Sequence, residues 1–273
     1  MSQTSAVWTE NILDLAGNEV QLIRGGSGDP MLVLHDELGP PGWLNFHEQL
    51  SKDFELYLPS HAGYGKSKRL DWIMNMRDLA GWYLEVLDDL NPGPMTLMGF
   101  SMGGWLAAEM AVMCPDKFKN LILVSPTGIR PPTGEIYDIF LVMAQQVLSD
   151  SFWDASSVPE FKLICPDEPS PELTEFWEVA REESCRLSWR PYMHNLSLPN
   201  LLHRLKMLKT LILWGREDAI VPLSAGDAYQ QSIAGSHLHI IEQCGHRPEV
   251  EKTQEFVEVV SQFVKNNSLD HLG

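Results

Sequence analysis

The stretch "MTLMGFSMGGWLAAEM", residues 95–110, joins an apolar run to a helix-forming run through one hydroxyl, Ser101, hemmed in by Gly99, Gly103 and Gly104. Residues 95–100 are short and apolar enough for a strand covered on both faces. Residues 102–114 read as a helix stopped by Pro115. The spacing Gly99, Phe100, Ser101, Met102, Gly103 is G-x-S-x-G. Small residues on both sides allow a strand-to-helix turn sharp enough to hold the serine at the sheet's carboxyl edge, in strained backbone, above the start of the next helix. A serine hydroxyl is a poor nucleophile unless a base takes its proton and donors await the oxyanion that forms. Ser101 is therefore the candidate nucleophile, and it requires partners from elsewhere in the chain.

Outward from this corner, short apolar runs recur: "MLVLH" at 31–35, "FELYL" at 54–58, "LILV" at 121–124, "LILW" at 211–214 and "LHII" at 238–241. Helical stretches lie between several of them, which predicts an α/β fold with a mostly parallel sheet flanked by helices. "TENILDL" and "EVQLIR", joined by "AGN", predict an antiparallel hairpin at one edge. In "TQEFVEVVSQFVK", Phe256, Val260, Phe263 and Val264 line one helical face. The alternation breaks between about 129 and 205. There Ser170 and Pro171 mark a helix start, and Phe176, Trp177 and Ala180 form an apolar stripe. The expected division is a core, first part, over 1–128, an inserted helical cap over 129–205 and a core, second part, over 206–273. The tail "NNSLDHLG" is expected to fray.

The chain has 273 residues, 44% hydrophobic and 21% charged, enough for a sizeable core. Twenty Lys and Arg against 37 Asp and Glu give a net charge of −17, which disfavours nucleic acid and anionic membrane surfaces. No window of about 18 uninterrupted apolar residues is present, and the opening "MSQTSAVWTENILDL" lacks the layout of a secretory signal, so a cytoplasmic location is expected. Cys114, Cys165, Cys185 and Cys244 are scattered, with no C-x-x-C pair, and read as free thiols. None of the nine histidines has metal-ligand spacing; His237 and His239 share a strand face and read as structural or surface residues. No metal or cofactor is implied. The partner implied is a small-molecule substrate, and the residues set no oligomeric state.

With its strand in front and its helix behind, the Ser101 motif resembles that of the α/β-hydrolase fold superfamily, whose members carry nucleophile, acid and base in that chain order. Two downstream elements extend the resemblance. "LILWGREDAIVP" resembles the family's strand, glycine and acid element and points to Asp218, with Glu217 one position off as the competitor. "IIEQCGHRPEVE" resembles its glycine-histidine element and points to His246. The resemblance implies that His246 takes the Ser101 proton while Asp218 holds the imidazole tautomer and stabilises its charged form. It also implies an oxyanion hole made by the backbone N–H groups of Met102 and Glu37, the latter in the loop "HDELGPPGW". The family usually has glycine where this chain has Asp36, and the Asp36 side chain is expected to turn away from the hole. "GYGKS" at 63–67 lacks the glycine a phosphate-binding loop needs at position 60, where Ser60 stands, and resembles a structural loop of the family.

The stretch from Trp189 through "RPYMHNLSLPNLLHRLKMLKT" resembles the cap exit of many bacterial members. Asp36, Phe100, Trp153 and Trp189 are candidate substrate-binding residues, and an apolar pocket over Ser101 is expected. Ester hydrolysis through an acyl-enzyme is the leading expectation. Hydrolytic carbon–carbon cleavage of ring-fission products is the alternative, suggested by "GPPGWLNF"; that subgroup usually has asparagine before the nucleophile and tryptophan after the histidine, where this chain has Phe100 and Arg247. A small-molecule receptor on the same fold is the third.

Overall fold

The computed structural model describes residues 8–265, so the reading of the 266–273 tail lies outside the described residues. The strands are β1 (Trp8–Leu15), β2 (Asn18–Gly26), β3 (Asp29–Leu34), β4 (Phe54–Pro59), β5 (Met95–Phe100), β6 (Phe118–Val124), β7 (Lys209–Gly215) and β8 (His237–Ile241). They form one sheet in the order β1-β2-β4-β3-β5-β6-β7-β8. The expected edge hairpin is present: β1 pairs antiparallel with β2, and β2 with β4, while all other pairings are parallel. Ala16 and Gly17 turn the hairpin with φ of 49° and 68°, the positive angles that a two-residue turn matching strand twist demands.

The helices are α1 (Asn45–Leu50), α2 (Met76–Leu90), α3 (Met102–Met113), α4 (Ala144–Asp150), α5 (Phe161–Ile164), α6 (Pro171–Ser188), α7 (Leu223–Ser232), α8 (Pro248–Glu251) and α9 (Thr253–Lys265). Helix α3 is apolar almost all round and buried from Met102 to Val112, as befits the central helix under the sheet. Its one carboxylate, Glu109, is fully buried and accepts from Trp105 Nε1 at 3.1 Å and Asn195 Nδ2 at 2.6 Å. Helix α6 starts where expected: the Ser170 side chain accepts from Leu173 N at 3.2 Å, and Pro171 opens the helix. On α9, Phe256, Val260 and Phe263 are buried and Val264 is half-buried.

Between β6 and β7 the described chain holds only helices and turns, apart from one isolated bridge between Gly128 and His194. The loops at the carboxyl ends of β3, β5, β7 and β8 converge on one edge of the sheet, where ligands of open α/β sheets bind. No helix among the described residues is long and apolar enough to cross a membrane.

The turn between β5 and α3 depends on absent side chains. A Cβ on Gly103 would lie 2.3 Å from the His35 carbonyl oxygen and 2.5 Å from that of Leu34. A Cβ on Gly99 would lie 2.2 Å from the Gly103 carbonyl oxygen. These neighbours are backbone atoms and cannot rotate aside. Gly103→Ala is therefore expected to cost about 3 kcal/mol or more, the upper end of overpacking penalties, read as a shifted urea midpoint with unchanged slope.

Candidate active site

Ser101 has φ 49° and ψ −115°, in the region that non-glycine residues avoid. The surroundings hold it there. Ser101 N donates to the Val124 carbonyl at 2.9 Å, and the Ser101 carbonyl accepts from the N–H groups of Gly104, Trp105 and Thr127 at 3.0–3.1 Å. The side chain is buried, and its Oγ has no hydrogen-bond partner within the protein.

Asp218 follows β7 and His246 follows β8, and the structure brings them together: His246 Nδ1 lies 2.8 Å from Asp218 Oδ2. Asp218 Oδ1 accepts from the N–H groups of Ile220 and Val221, each at 2.9 Å, which leaves Oδ2 aimed at the imidazole. Burial alone would lower the His246 pKa, but the Asp218 charge and hydrogen bond outweigh it and the net direction is upward. With Nδ1 facing the carboxylate, His246 Nε2 remains buried and unpartnered. Glu217 points elsewhere, and its Oε2 accepts from Cys244 N at 2.9 Å and so braces the histidine loop. The same loop is held by Glu251, which accepts from Gly245 N at 2.7 Å, and by His246 N, which donates to the Ser151 carbonyl at 2.7 Å.

The loop after β3 is fixed by a neutral histidine. His35 Nε2 accepts from His61 N at 3.0 Å, so its Nδ1 carries the proton and donates to the Asp36 carbonyl at 2.7 Å. Burial lowers the His35 pKa to about 4, consistent with that neutral form. No backbone hydrogen bond among the described residues uses the N–H of Met102 or Glu37. The Glu37 carbonyl accepts from Ser184 Oγ of α6 at 2.7 Å, and Ser184 in turn meets Tyr64 OH at 2.7 Å. Tyr64 belongs to the Gly63–Ser67 loop, whose Ser67 Oγ bridges Ser60 O and Gln21 N.

Asp36 is buried but not unpaired. Its Oδ1 accepts from Leu38 N at 2.8 Å and its Oδ2 from Arg247 Nη1 at 2.7 Å. Asp36, where the family usually has glycine, and Arg247, where the ring-fission subgroup usually has tryptophan, thus carry opposite charges and meet each other. That opposition was the available sequence signal for their pairing. Phe100 packs edge-on against Phe46 at 5.5 Å and near Phe256 at 6.0 Å, and borders a cavity shared with His35, Asp36, Arg247 and Glu249. Burial raises the Glu249 pKa to about 7. Trp153 and Trp189, the two candidate substrate-binding tryptophans, are both partly exposed. Trp153 is 57% exposed, while Trp189, 48% exposed, lies near Phe140 and Tyr192 beside a surface groove. Each follows the end of a helix in the segment between β6 and β7. The side chains that sequence reading passed over are those of Glu37, Ser184 and Glu251.

The structure thus holds a strained serine with a free hydroxyl and, after β7 and β8, a carboxylate paired with an imidazole that keeps one nitrogen free. The chain belongs to the alpha/beta hydrolase family, whose model matches residues 26–259. It is 28% identical over 277 aligned residues to a 2-hydroxy-6-oxononadienedioate/2-hydroxy-6-oxononatrienedioate hydrolase of Burkholderia vietnamiensis, with 88% of each chain covered. It is 26% identical to a 2-hydroxy-6-oxo-6-phenylhexa-2,4-dienoate hydrolase of Comamonas testosteroni, covering 92% of this chain and 93% of that one. Its fold matches that of the 2-hydroxy-6-oxo-6-phenylhexa-2,4-dienoate hydrolase of Rhodococcus sp. strain RHA1 with a TM-score of 0.76 at 18% identity, covering 96% of this chain and 100% of that one.

The Asp36–Arg247 pair yields a stability test. Arg247→Leu leaves a buried carboxylate unpaired and is expected to cost about 3–5 kcal/mol in urea unfolding. Adding Asp36→Gly to Arg247→Leu is expected to recover most of that loss; independent, additive losses would show that the two side chains are not coupled.

Proposed function

We propose that this protein is a serine-dependent hydrolase that cleaves a carbon–carbon bond next to a ketone in 2-hydroxy-6-oxo-dienoate substrates, the class to which its relatives' names belong. Ester hydrolysis, the leading expectation from sequence, becomes the second reading. In the proposed reaction Ser101 Oγ attacks the ketone while His246 Nε2 takes its proton, and Asp218 stabilises the resulting imidazolium. The N–H groups of Met102 and Glu37 receive the oxyanion. Water then releases the acyl group from Ser101. Residues 129–205 serve as the cap over core segments 1–128 and 206–273.

The observation that carries this reading is the Arg247 guanidinium. It is buried beside His246, its Nη1 is used by Asp36, and its Nε and Nη2 have no partner within the protein. Arg247 borders a cavity of about 100 Å³ between the loop after β3 and the helical insertion, walled by Leu38, Leu148, Ile164 and Trp177. A buried cation beside an apolar wall is the pairing that a substrate with a carboxylate and a hydrocarbon part would use. A neutral ester has no use for that cation. Phe100, where ring-fission enzymes usually have asparagine, favours the ester reading; both reactions pass through the same acyl-serine.

The test is turnover of 2-hydroxy-6-oxo-6-phenylhexa-2,4-dienoate, followed by loss of its conjugated absorbance and by release of benzoate, beside p-nitrophenyl acetate. Preference for the dienoate by about 100-fold or more in kcat/KM is expected, with Ser101→Ala lowering it by about 10,000-fold or more. Because the base must be neutral and its pKa is raised above 6.5, kcat/KM is expected to climb with pH through a midpoint above 6.5. Asp218→Asn should move that midpoint down. Hydrolysis of the ester alone would establish the second reading.

A further inference from the structure

Arg247 also borders a second cavity, of about 30 Å³, between the loop after β3, α1 and α8. Its apolar lining includes Phe46, Leu58 and Phe100, and Phe100 immediately precedes Ser101 in the chain. Its polar lining comes from His47 of α1, from His35 and Asp36 after β3, and from Arg247 and Glu249 at the start of α8. Arg247 and Glu249 are only 4% and 5% exposed, yet Arg247 Nε and Nη2 and Glu249 Oε2 have no hydrogen-bond partner within the protein. Asp36 differs, because its two oxygens are engaged by Leu38 N and Arg247 Nη1. His47 Nδ1 accepts from Leu44 N at 3.0 Å, so the neutral ring carries its proton on Nε2. Buried polar groups left unpaired are costly, and several of them around one cavity point to a ligand that pairs them.

The size and charge of the cavity narrow that ligand. One water takes at least about 10–15 Å³ of such space, so the cavity admits a group of only a few heavy atoms. A guanidinium with free donors favours an anion with two acceptor oxygens. Because Asp36 already balances Arg247, an arriving anion adds a negative charge that a proton on Glu249 relieves. Burial raises the Glu249 pKa to about 7; the Arg247 and His246 charges oppose that rise and the Asp36 charge adds to it. Burial keeps His35, His47 and the Cys244 thiol uncharged, which leaves Glu249 and His246 as the neighbours that titrate near neutrality.

We propose that this cavity binds the carboxylate of a small monocarboxylic acid, one oxygen accepting from the Arg247 guanidinium and the other from the protonated Glu249 carboxyl, with His47 Nε2 as a further donor. Two molecules carry that group to this place: the acid released from Ser101, which ester and ketone hydrolysis both produce, and a substrate with a carboxylate of its own. Only the second rests on the carbon–carbon reading above.

The probe is acetate, an anion at both pH 6 and pH 8, titrated by calorimetry into the full chain at each pH, with thermal melting to verify that every variant folds. Wild type is expected to bind it with a Kd of about 1 mM at pH 6. Binding at pH 8 is expected to be about tenfold weaker, with uptake of about one proton per acetate, because Glu249 titrates at about 7 and must be protonated in the complex. Glu249→Gln, whose amide donates at every pH, is expected to equalise the two affinities and abolish the uptake. Glu249→Leu is expected to weaken binding at pH 6 by about tenfold or more. No saturable binding at pH 6, equal wild-type affinities at the two pH values, a pH dependence that persists in Glu249→Gln, or wild-type affinity in Glu249→Leu would each overturn the site. Inhibition of p-nitrophenyl acetate turnover by added acetate assigns the site to the released acid. A raised KM for 2-hydroxy-6-oxo-6-phenylhexa-2,4-dienoate, with ester turnover untouched, assigns it to the substrate's carboxylate. A wild-type protein that leaves the dienoate intact while binding acetate as described would overturn the carbon–carbon reading and leave this site in place.

Discussion

The close approach of α3 to β3 and β5 is the constraint on which the site depends. Gly103 is pressed against the carbonyls of Leu34 and His35, and Gly99 against the carbonyl of Gly103, so the first turn of α3 enters the sheet with no side chain between them. This proximity forces Ser101 into its positive-φ corner, and four backbone hydrogen bonds hold it there. It also sets the loop after β3 beside the serine, because the residue that Gly103 touches, His35, begins that loop. The strain at Ser101 is thus offset by packing several residues away, the arrangement by which folds maintain strained functional backbone.

Around this corner the chain buries an unusual set of charges. Asp36 and Arg247 are paired at 2.7 Å, Asp218 and His246 at 2.8 Å, and Glu37 and Glu249 stand near them with raised pKa values. Removing ions from water costs several kcal/mol each, so such a cluster is a poor means of holding a fold together. Its members are arranged so that one guanidinium keeps two donors free and one imidazole keeps one nitrogen free. A dry site of this kind strengthens each interaction made with an incoming substrate.

The helical insertion is tied into the same cluster by polar contacts. Ser184 of α6 holds the Glu37 carbonyl, the Ser151 carbonyl accepts from His246 N, and Glu251 accepts from the N–H groups of Trp153 and Asp154 while also holding Gly245. Each tie joins the insertion to the loop after β3 or to the histidine loop and α8 that follow β8. The loop after β3 and the histidine loop are therefore positioned from the insertion as well as from the sheet.

The sequence by itself determined what is local or periodic. The strand–glycine–serine–glycine–helix pattern located the corner, apolar runs located the parallel strands, "AGN" located the hairpin, and Ser170–Pro171 located the start of α6, because each follows from backbone geometry within a few residues. The resemblance of two further elements pointed to Asp218 and His246, and those two meet. Only the tertiary structure decided which charged residues pair: that Asp36 faces Arg247, that Glu217 braces Cys244 and does not compete for His246, and that the Glu37 side chain stands unpartnered. It also left Trp153 and Trp189 about half exposed. Pairing between residues on separate loops depends on distance and direction in three dimensions, and burial depends on what covers a side chain from elsewhere in the chain, so neither is encoded in spacing along the sequence.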